Sequence, residues 1–233
     1  MIYGSRDRLV IFDLDGTLVD SFGAVGVAFA EHGMDLGDLR RFQRRRRLLK
    51  YLGGLREFPK NLRRQFDKGS RKRLKRTLTD VYRRQATLFP EVASLLARLI
   101  ETPDIRVGVV SRNVTIDPEE TVRLVLERHG IDGARLDFVA CIALGEDKLA
   151  HFRALRERFS INPSRCYACG DELRDYAAAI AAGMSPLVAA YGFEDYARLA
   201  DAIPAEVIAK TPRELAERLA HALDLDWRSS DEQ

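Results

Sequence analysis

The sequence predicts an α/β fold: a doubly wound parallel sheet with a helical domain inserted after its first strand. Three observations predict it. Short apolar runs of strand length alternate along the chain with amphipathic helical segments, the pattern of a parallel sheet wrapped on both faces. The interval from about Asp20 to Thr87 interrupts this alternation, since it holds no strand-like run. That same interval carries most of the basic charge of the 233-residue chain, which marks it as a separate unit.

The elements follow in order. Residues 9–12, Leu-Val-Ile-Phe, form an apolar run that stops at Asp13 and reads as a buried parallel strand. The insertion comes next, with expected breaks at Gly53-Gly54 and Phe58-Pro59. Its apolar residues, Phe42, Leu48, Leu49, Leu52, Leu55, Leu62, Phe66, Leu74 and Leu78, suffice for a small core of its own. Residues 91–100 place Val92, Leu95, Leu96 and Leu99 on one helical face. Further strands are expected over 106–110, 138–142, 165–169, 187–190 and, weakly, 207–209. Asp117-Pro118-Glu119-Glu120 and Thr211-Pro212-Arg213-Glu214 each supply an N-cap, a proline in the first turn and an acid three residues after the cap. The polar tail from Trp227 to Gln233 is expected to fray. The predicted boundaries are therefore a core of residues 1–20 and 86–233 and an inserted domain of residues 21–85.

Composition narrows the class. A hydrophobic fraction of 46% supports an ordinary core, and three cysteines in a chain of this length do not make a disulfide scaffold. The most apolar stretch, residues 177–193, is broken by Gly183, Ser185 and Pro186, so no membrane span is expected. The N-terminal residues show no basic-then-apolar segment ahead of a small-residue cleavage site, and a cytoplasmic protein is the expectation. The formal net charge of +3 conceals an asymmetry. Between Arg40 and Arg76 there are 17 basic residues against two acids, a local net of +15. Removing them from the chain's 38 basic and 35 acidic residues leaves 21 and 33, a net of −12. The basic insertion reads either as a solvated helical face whose long stems cover apolar surface, or as an electrostatic funnel for a polyanionic substrate.

In an open α/β sheet, ligands bind beyond the carboxyl ends of the strands. The residues expected there are Asp13-Leu14-Asp15-Gly16-Thr17 after the first strand and Ser111-Arg112-Asn113 after the second. Lys148 follows the third, and Gly170-Asp171-Glu172 with Asp175 follows the fourth. Gathered carboxylates repel one another and need a cation, a proton or a lysine to stay ionised. An oxygen-only set without histidine or cysteine suits Mg²⁺. Lys148 supplies a point charge for a phosphate or a carboxylate, while Thr17 and Ser111 can donate to anionic oxygens. The assembly fits metal-assisted phosphoryl transfer.

These motifs resemble the haloacid dehalogenase (HAD) superfamily. Asp13-Leu-Asp-Gly-Thr-Leu-Val-Asp-Ser looks like its first motif, Ser111 its second, Lys148 its third, and Gly170-Asp171 with Asp175 its fourth. The insertion is similar to the helical cap of phosphoglycolate-phosphatase-like members, as are residues 190–193 and 211–215 to the end of such proteins. The resemblance implies a Rossmann-like core, a phosphoric monoester hydrolase activity and a Mg²⁺ cofactor. It implies that Asp13 is the nucleophile and Asp15 the acid and base. Mg²⁺ would be held by Asp13, the backbone carbonyl of Asp15 and Asp171, with Asp175 as ligand or outer-sphere partner. Thr17, Ser111, Arg112, Asn113 and Lys148 would bind phosphate. The name-giving dehalogenases lack an acid at the position of Asp15, so its presence favours phosphoryl transfer. The local Lys148-Leu149-Ala150-His151-Phe152 is closer to small magnesium-dependent phosphatases of the superfamily. The expected partner is a small phosphomonoester, with a polyanionic substrate open through the basic cap and the oligomeric state undetermined. Alternatives are a phosphomutase on the same residues and a weakly catalytic protein that binds nucleic acid or another polyanion through its cap.

The remaining features read as packing. Cys166 and Cys169, three apart on a strand, face opposite sides of the sheet and are expected to be core thiols, as is Cys141. Glu172 reads as a helix-start acid favoured by the dipole. His32, His129, His151 and His221 are scattered over helical segments and form no ligand set.

Overall fold

The structure is a computed structural model, which describes residues 6–33 and 68–227. The expected glycine and proline breaks of the insertion and its apolar residues from Phe42 to Phe66 lie outside the described residues, as does the tail beyond Trp227.

Six parallel strands make the sheet. They are β1 (Arg8–Phe12), β4 (Ile105–Ser111), β5 (Phe138–Cys141), β6 (Cys166–Gly170), β7 (Ser185–Ala189) and β8 (Ile208–Ala209), in the order β5-β4-β1-β6-β7-β8. A short antiparallel ribbon of β2 (Val19–Asp20) and β3 (Thr87–Leu88) stands apart from it. Each strand of the sheet corresponds to one of the six apolar runs. β1 lies at the centre, with Val10 opposite Val107 and Tyr167 and Phe12 opposite Val109 and Cys169. The chain first builds outward on one side of β1 and then crosses to build on the other. The order therefore reverses between β1 and β6, where an open sheet opens a crevice.

Alternation along β1 sends its side chains to two cores. Val10 and Phe12 join α3 (Pro90–Glu101), α4 (Pro118–Arg128) and α8 (Pro212–Ala222) through Leu95, Val125 and Leu219. Leu9 and Ile11 join α5 (Lys148–Phe159) and α6 (Leu173–Ala181) through Phe152 and Ala179. A short α7 (Tyr196–Ala200) covers β7 and β8 through Leu199. Cys166 and Cys169 fall in opposite cores, as their spacing predicts. All three cysteines are free.

The two expected helix starts differ. Thr211 caps α8, accepting from Glu214 N, and the Glu214 carboxylate accepts from Lys210 N. Asp117 precedes α4 but makes no side-chain cap bond and sits at φ 46° and ψ 64°. The proline that follows disfavours the right-handed helical region for the residue before it, and an aspartate tolerates the left-handed one.

Within the insertion, α1 (Phe22–Ala30) packs on α2 (Lys68–Gln85). Ala24, Val25, Ala28 and Phe29 meet Leu74, Leu78, Val81 and Tyr82 in an apolar cluster continuous with the first core. The last turns of α2 are bonded to the sheet domain. Thr79 Oγ1 accepts from Ile116 N at 2.8 Å, and Arg83 donates to Thr121 Oγ1 and Ile116 O, both at 2.9 Å. Among the described residues no helix is long and apolar enough to cross a membrane.

Candidate active site

The crevice between β1 and β6 collects the charged residues. Asp13 leaves the end of β1, with its amide bonded to Cys169 O at 2.7 Å. Asp171 follows the end of β6, and Asp175 lies in the first turn of α6. Lys148 opens α5, where Asp147 caps the helix by accepting from Leu149 N. All four are buried.

Lys148 Nζ lies 2.9 Å from Asp13 Oδ1 and 3.1 Å from Asp175 Oδ1. Arg112 Nη1 reaches the same Asp175 oxygen at 3.2 Å, while its Nε donates to Glu146 O. Burial alone would raise the carboxyl of Asp175, but Lys148 and Arg112 override it and hold it below the usual range. Asp13, Asp171 and Asp175 bring one carboxylate oxygen each to within 4.8 Å of one another. Glycines make this closeness feasible. Gly16 turns the chain at φ 81°, and an added Cβ there would stand 2.4 Å from Asp171 Oδ2. At Gly192 an added Cβ would stand 2.4 Å from Gly16 O and 2.6 Å from Asp171. Phe193 N donates to Asp171 Oδ2 at 2.6 Å.

Asp15 stands outside that trio. Tyr82 Oη donates to its Oδ1 at 2.7 Å, and Asn113 Nδ2 to its Oδ2 at 3.4 Å. Part of its surface stays accessible, yet protein atoms enclose the carboxyl at longer range and burial pushes it up to about 6. The hydroxyls of Tyr82 and Ser21 and the amide of Asn113 oppose that rise, and the charge of Asp13 adds to it. Buried polar atoms at this edge that have no hydrogen-bond partner among the described residues include Thr17 Oγ1, Ser111 Oγ and Asp175 Oδ2. Buried polar atoms are ordinarily paired, so these fit a ligand that brings partners of its own. The three-carboxylate set offers oxygen alone, the donor type of a hard divalent cation.

Residues 8–183 match the family model described as haloacid dehalogenase-like hydrolase, and residues 146–222 match a second, HAD-hydrolase-like model. The chain belongs to the haloacid dehalogenase-like hydrolase family. It is 28% identical to the phosphoglycolate phosphatase of Synechococcus elongatus, over 93% of this chain and 99% of that one. It is 30% identical to the phosphoglycolate phosphatase of Xanthomonas campestris pv. campestris (strain 8004), over 91% and 96%. A hydrolase from Pseudomonas syringae shares the fold at a TM-score of 0.64 and 20% identity, over 92% of this chain and 98% of that one. A haloacid dehalogenase-like family protein from Streptococcus pneumoniae does so at 0.63 and 21%, over 94% and 99%. The HAD fold and the phosphatase class expected from the motifs therefore hold.

This hydrolase joins Asp13, Lys148, Asp175 and Arg112 in one ionic network, brings Asp171 within 4.8 Å of its two carboxylates, and sets Asp15 beside it with Asn113. Sequence reasoning missed Tyr82, which falls in an apolar stripe with Leu74, Leu78 and Val81; nothing in its spacing shows that its hydroxyl reaches Asp15. It also missed Tyr191, whose hydroxyl donates to Thr17 O at 3.0 Å and braces the turn after β1. The four histidines contribute nothing to the carboxylate trio. His32 meets Thr77 and His129 meets Val125 O.

Proposed function

We propose that this HAD-family enzyme is a Mg²⁺-dependent phosphatase that hydrolyses a small phosphomonoester through an aspartyl-phosphate on Asp13. The observation that carries the reading is the buried meeting of Asp13, Asp171 and Asp175, with Lys148 bonded to two of them. Mg²⁺ would be held by these three carboxylates and the backbone carbonyl of Asp15, and when bound it supplies charge neutralisation for the phosphoryl oxygens. The whole-length likeness to phosphoglycolate phosphatases makes phosphoglycolate the first substrate to test.

The chain's own residues then divide the work. Both Leu14 N and Lys148 bond Asp13 through Oδ1, so neither occupies Oδ2. An Asp13 carboxylate oxygen attacks phosphorus as the bond to the leaving oxygen breaks, and protonated Asp15 gives that oxygen its proton. Ionised Asp15 next takes a proton from water; the water oxygen attacks phosphorus, and the bond to Asp13 breaks to restore its carboxylate. Ser111, Thr17 and Lys148 would hold the phosphoryl oxygens, with Arg112 and Asn113 acting at its margin through Asp175 and Asp15. An Asp15 carboxyl lifted to about 6 can serve in both protonation states near neutrality.

Residues 21–85 are read as a cap on a core of residues 1–20 and 86–233, and the contact of Tyr82 with Asp15 supports placing α2 against the site. Three free cysteines fit a reducing cytoplasm. The test is phosphate release from phosphoglycolate and from an aryl phosphate, with Mg²⁺ and with EDTA. Release that requires Mg²⁺ and disappears in Asp13→Asn is expected. A wild-type enzyme inactive on a panel of phosphomonoesters, or an active Asp13→Asn, would overturn the reading.

One observation favours a second reading of the cap. Lys72, Arg73, Lys75, Arg76 and Arg84 of α2 are exposed against a single exposed acid, Asp80. Such a face suits a polyanionic substrate. Association that weakens steeply with salt would support it, and salt-independent kcat/KM for an oligophosphorylated substrate would count against it.

A further inference from the structure

We propose that Tyr82 is the positioning residue of Asp15, a hydroxyl from the inserted helix that sets the orientation of the carboxyl group handling the leaving-group proton. The inference rests on the reading of Asp15 as that group and adds what holds it in place.

A carboxylate on a short stem rotates broadly about its last torsion, because that torsion lacks the sharp wells of tetrahedral carbons. Here both oxygens are gripped, Oδ1 by Tyr82 at 2.7 Å and Oδ2 by Asn113 at 3.4 Å. The two grips come from distant parts of the chain, 67 and 98 residues away. Each is fastened. Asn113 Oδ1 accepts from Thr115 N at 2.9 Å and Thr115 Oγ1 at 2.5 Å. Tyr82 is 2% exposed and sits between Thr79 and Arg83, both bonded to the backbone of Ile116. The bonds close a ring: Asp15 to Tyr82, along α2 to Thr79, across to Ile116, back through Thr115 to Asn113, and again to Asp15.

Three features separate this from ordinary satisfaction of a buried phenol. A buried tyrosine needs some partner, and a backbone carbonyl commonly serves. This one has instead the side chain of the first-motif acid, at 2.7 Å against 3.4 Å for the bond from Asn113. A phenol hydroxyl can donate, whereas an ionised carboxylate only accepts, so the 2.7 Å contact runs from Tyr82 to Asp15. With Oδ1 occupied by that donor, the proton Asp15 delivers rides on Oδ2, whose contact with Asn113 is the looser one. The insertion thus completes the acid–base group rather than only covering it.

Tyr82→Phe removes the hydroxyl and little volume. The experiment compares wild type, Asp15→Asn, Tyr82→Phe and the double variant, with Mg²⁺, on esters whose leaving groups range from nitrophenol to an alkyl alcohol. Good leaving groups need no proton, so a proton-positioning defect grows as the leaving group worsens. Tyr82→Phe is expected to lose less than about threefold on nitrophenyl phosphate and roughly tenfold or more on the alkyl ester. In the Asp15→Asn background it is expected to cost nothing further, since residues acting as a unit are not additive. Thr79→Val, which keeps the Tyr82 hydroxyl but removes one of the helix's two bonds to Ile116, is expected to reproduce the trend more weakly; this second variant serves if the first does not fold. Equal losses across leaving groups, full additivity with Asp15→Asn, or no loss in either variant would overturn the proposal alone. An Asp15→Asn enzyme as active as wild type on alkyl esters, or an inactive wild type, would overturn the parent reading and this one with it.

Discussion

Replacing Asp15 by asparagine should make the metal-free protein more stable at neutral pH while it removes the proposed acid and base. Burial lifts the Asp15 carboxyl from 3.8 to about 6, so between these values the folded chain holds a proton that the unfolded chain has released. Stability therefore falls as pH rises through this window, and the cost is complete above about pH 6. Each tenfold change in proton affinity is worth about 1.4 kcal/mol, which sets an upper figure of roughly 3 kcal/mol. Solvent that still reaches Asp15 trims this to about 1–2 kcal/mol. Asparagine keeps an acceptor for Tyr82 and carries no charge. For a chain of this size the gain corresponds to a rise of roughly 2–8 °C in thermal midpoint. The assay is thermal unfolding of both proteins in EDTA from pH 4 to pH 8. The difference should be near zero at pH 4, grow through pH 5 and level off above pH 6. An Asp15→Asn midpoint equal to or below wild type at pH 7.5, or a gain as large at pH 4 as at pH 7.5, would refute the reasoning.

Other outcomes follow from the same geometry. Lys148→Met leaves Asp13 facing Asp175 without the cation bonded to both, and the metal-free protein should lose about 3 kcal/mol; Mg²⁺ should raise its thermal midpoint by more than it raises that of wild type. Gly192→Ala must move Gly16 O or Asp171, since the new Cβ would lie 2.4 Å from the first. Roughly tenfold or greater loss of kcat, with the circular dichroism spectrum retained, is expected there. Titration with an aromatic disulfide should leave Cys166 and Cys169 unmodified until unfolding, because burial pushes the first thiol up to about 11 and the second higher still. Rapid modification of either in the native enzyme would contradict their place in the two cores.

Much of this was legible because it depends on local pattern. An apolar run bounded by turn residues identifies a buried strand wherever it pairs, and Thr211-Pro212-Arg213-Glu214 carries its whole capping mechanism within four residues. The carboxylates were legible because Asp13 and Asp171 directly follow strands and Asp175 lies in the helix turn just after one, so topology alone brings them to one edge. What escaped depends on direction and partner. Asp117 looks like Thr211 in sequence, yet its backbone lies in the left-handed region and its carboxylate caps nothing. Arg112 follows Ser111 at a strand end, where successive side chains leave in different directions; its guanidinium lies on Asp175. β2 and β3 are two residues each and have no periodicity to read. Tyr82 is the sharpest case, because helical spacing assigns its ring to the core correctly and is silent about an oxygen at the ring's far end.

The charges at the crevice argue for why a cation belongs to phosphate binding as well as to turnover. Asp13, Asp171 and Asp175 contribute three negative charges, and Lys148 and Arg112 return two positive ones. The network by itself is thus negative by one charge, in a place where little water screens it. A phosphate dianion approaching Asp13 would meet net repulsion. The exposed cations of α2 do not repair this, because they are solvated and screened beyond about 10 Å. With the proposed Mg²⁺ held by the trio, the same network becomes positive by one and attracts the dianion. Protonated Asp15 adds no opposing charge at that moment. Order of binding then follows from charge alone: the cation precedes the phosphate. Inorganic phosphate should therefore raise the thermal midpoint of the enzyme in Mg²⁺ and leave it unmoved in EDTA. Equal protection in both would mean that phosphate binds elsewhere, with the basic face of α2 the first place to look.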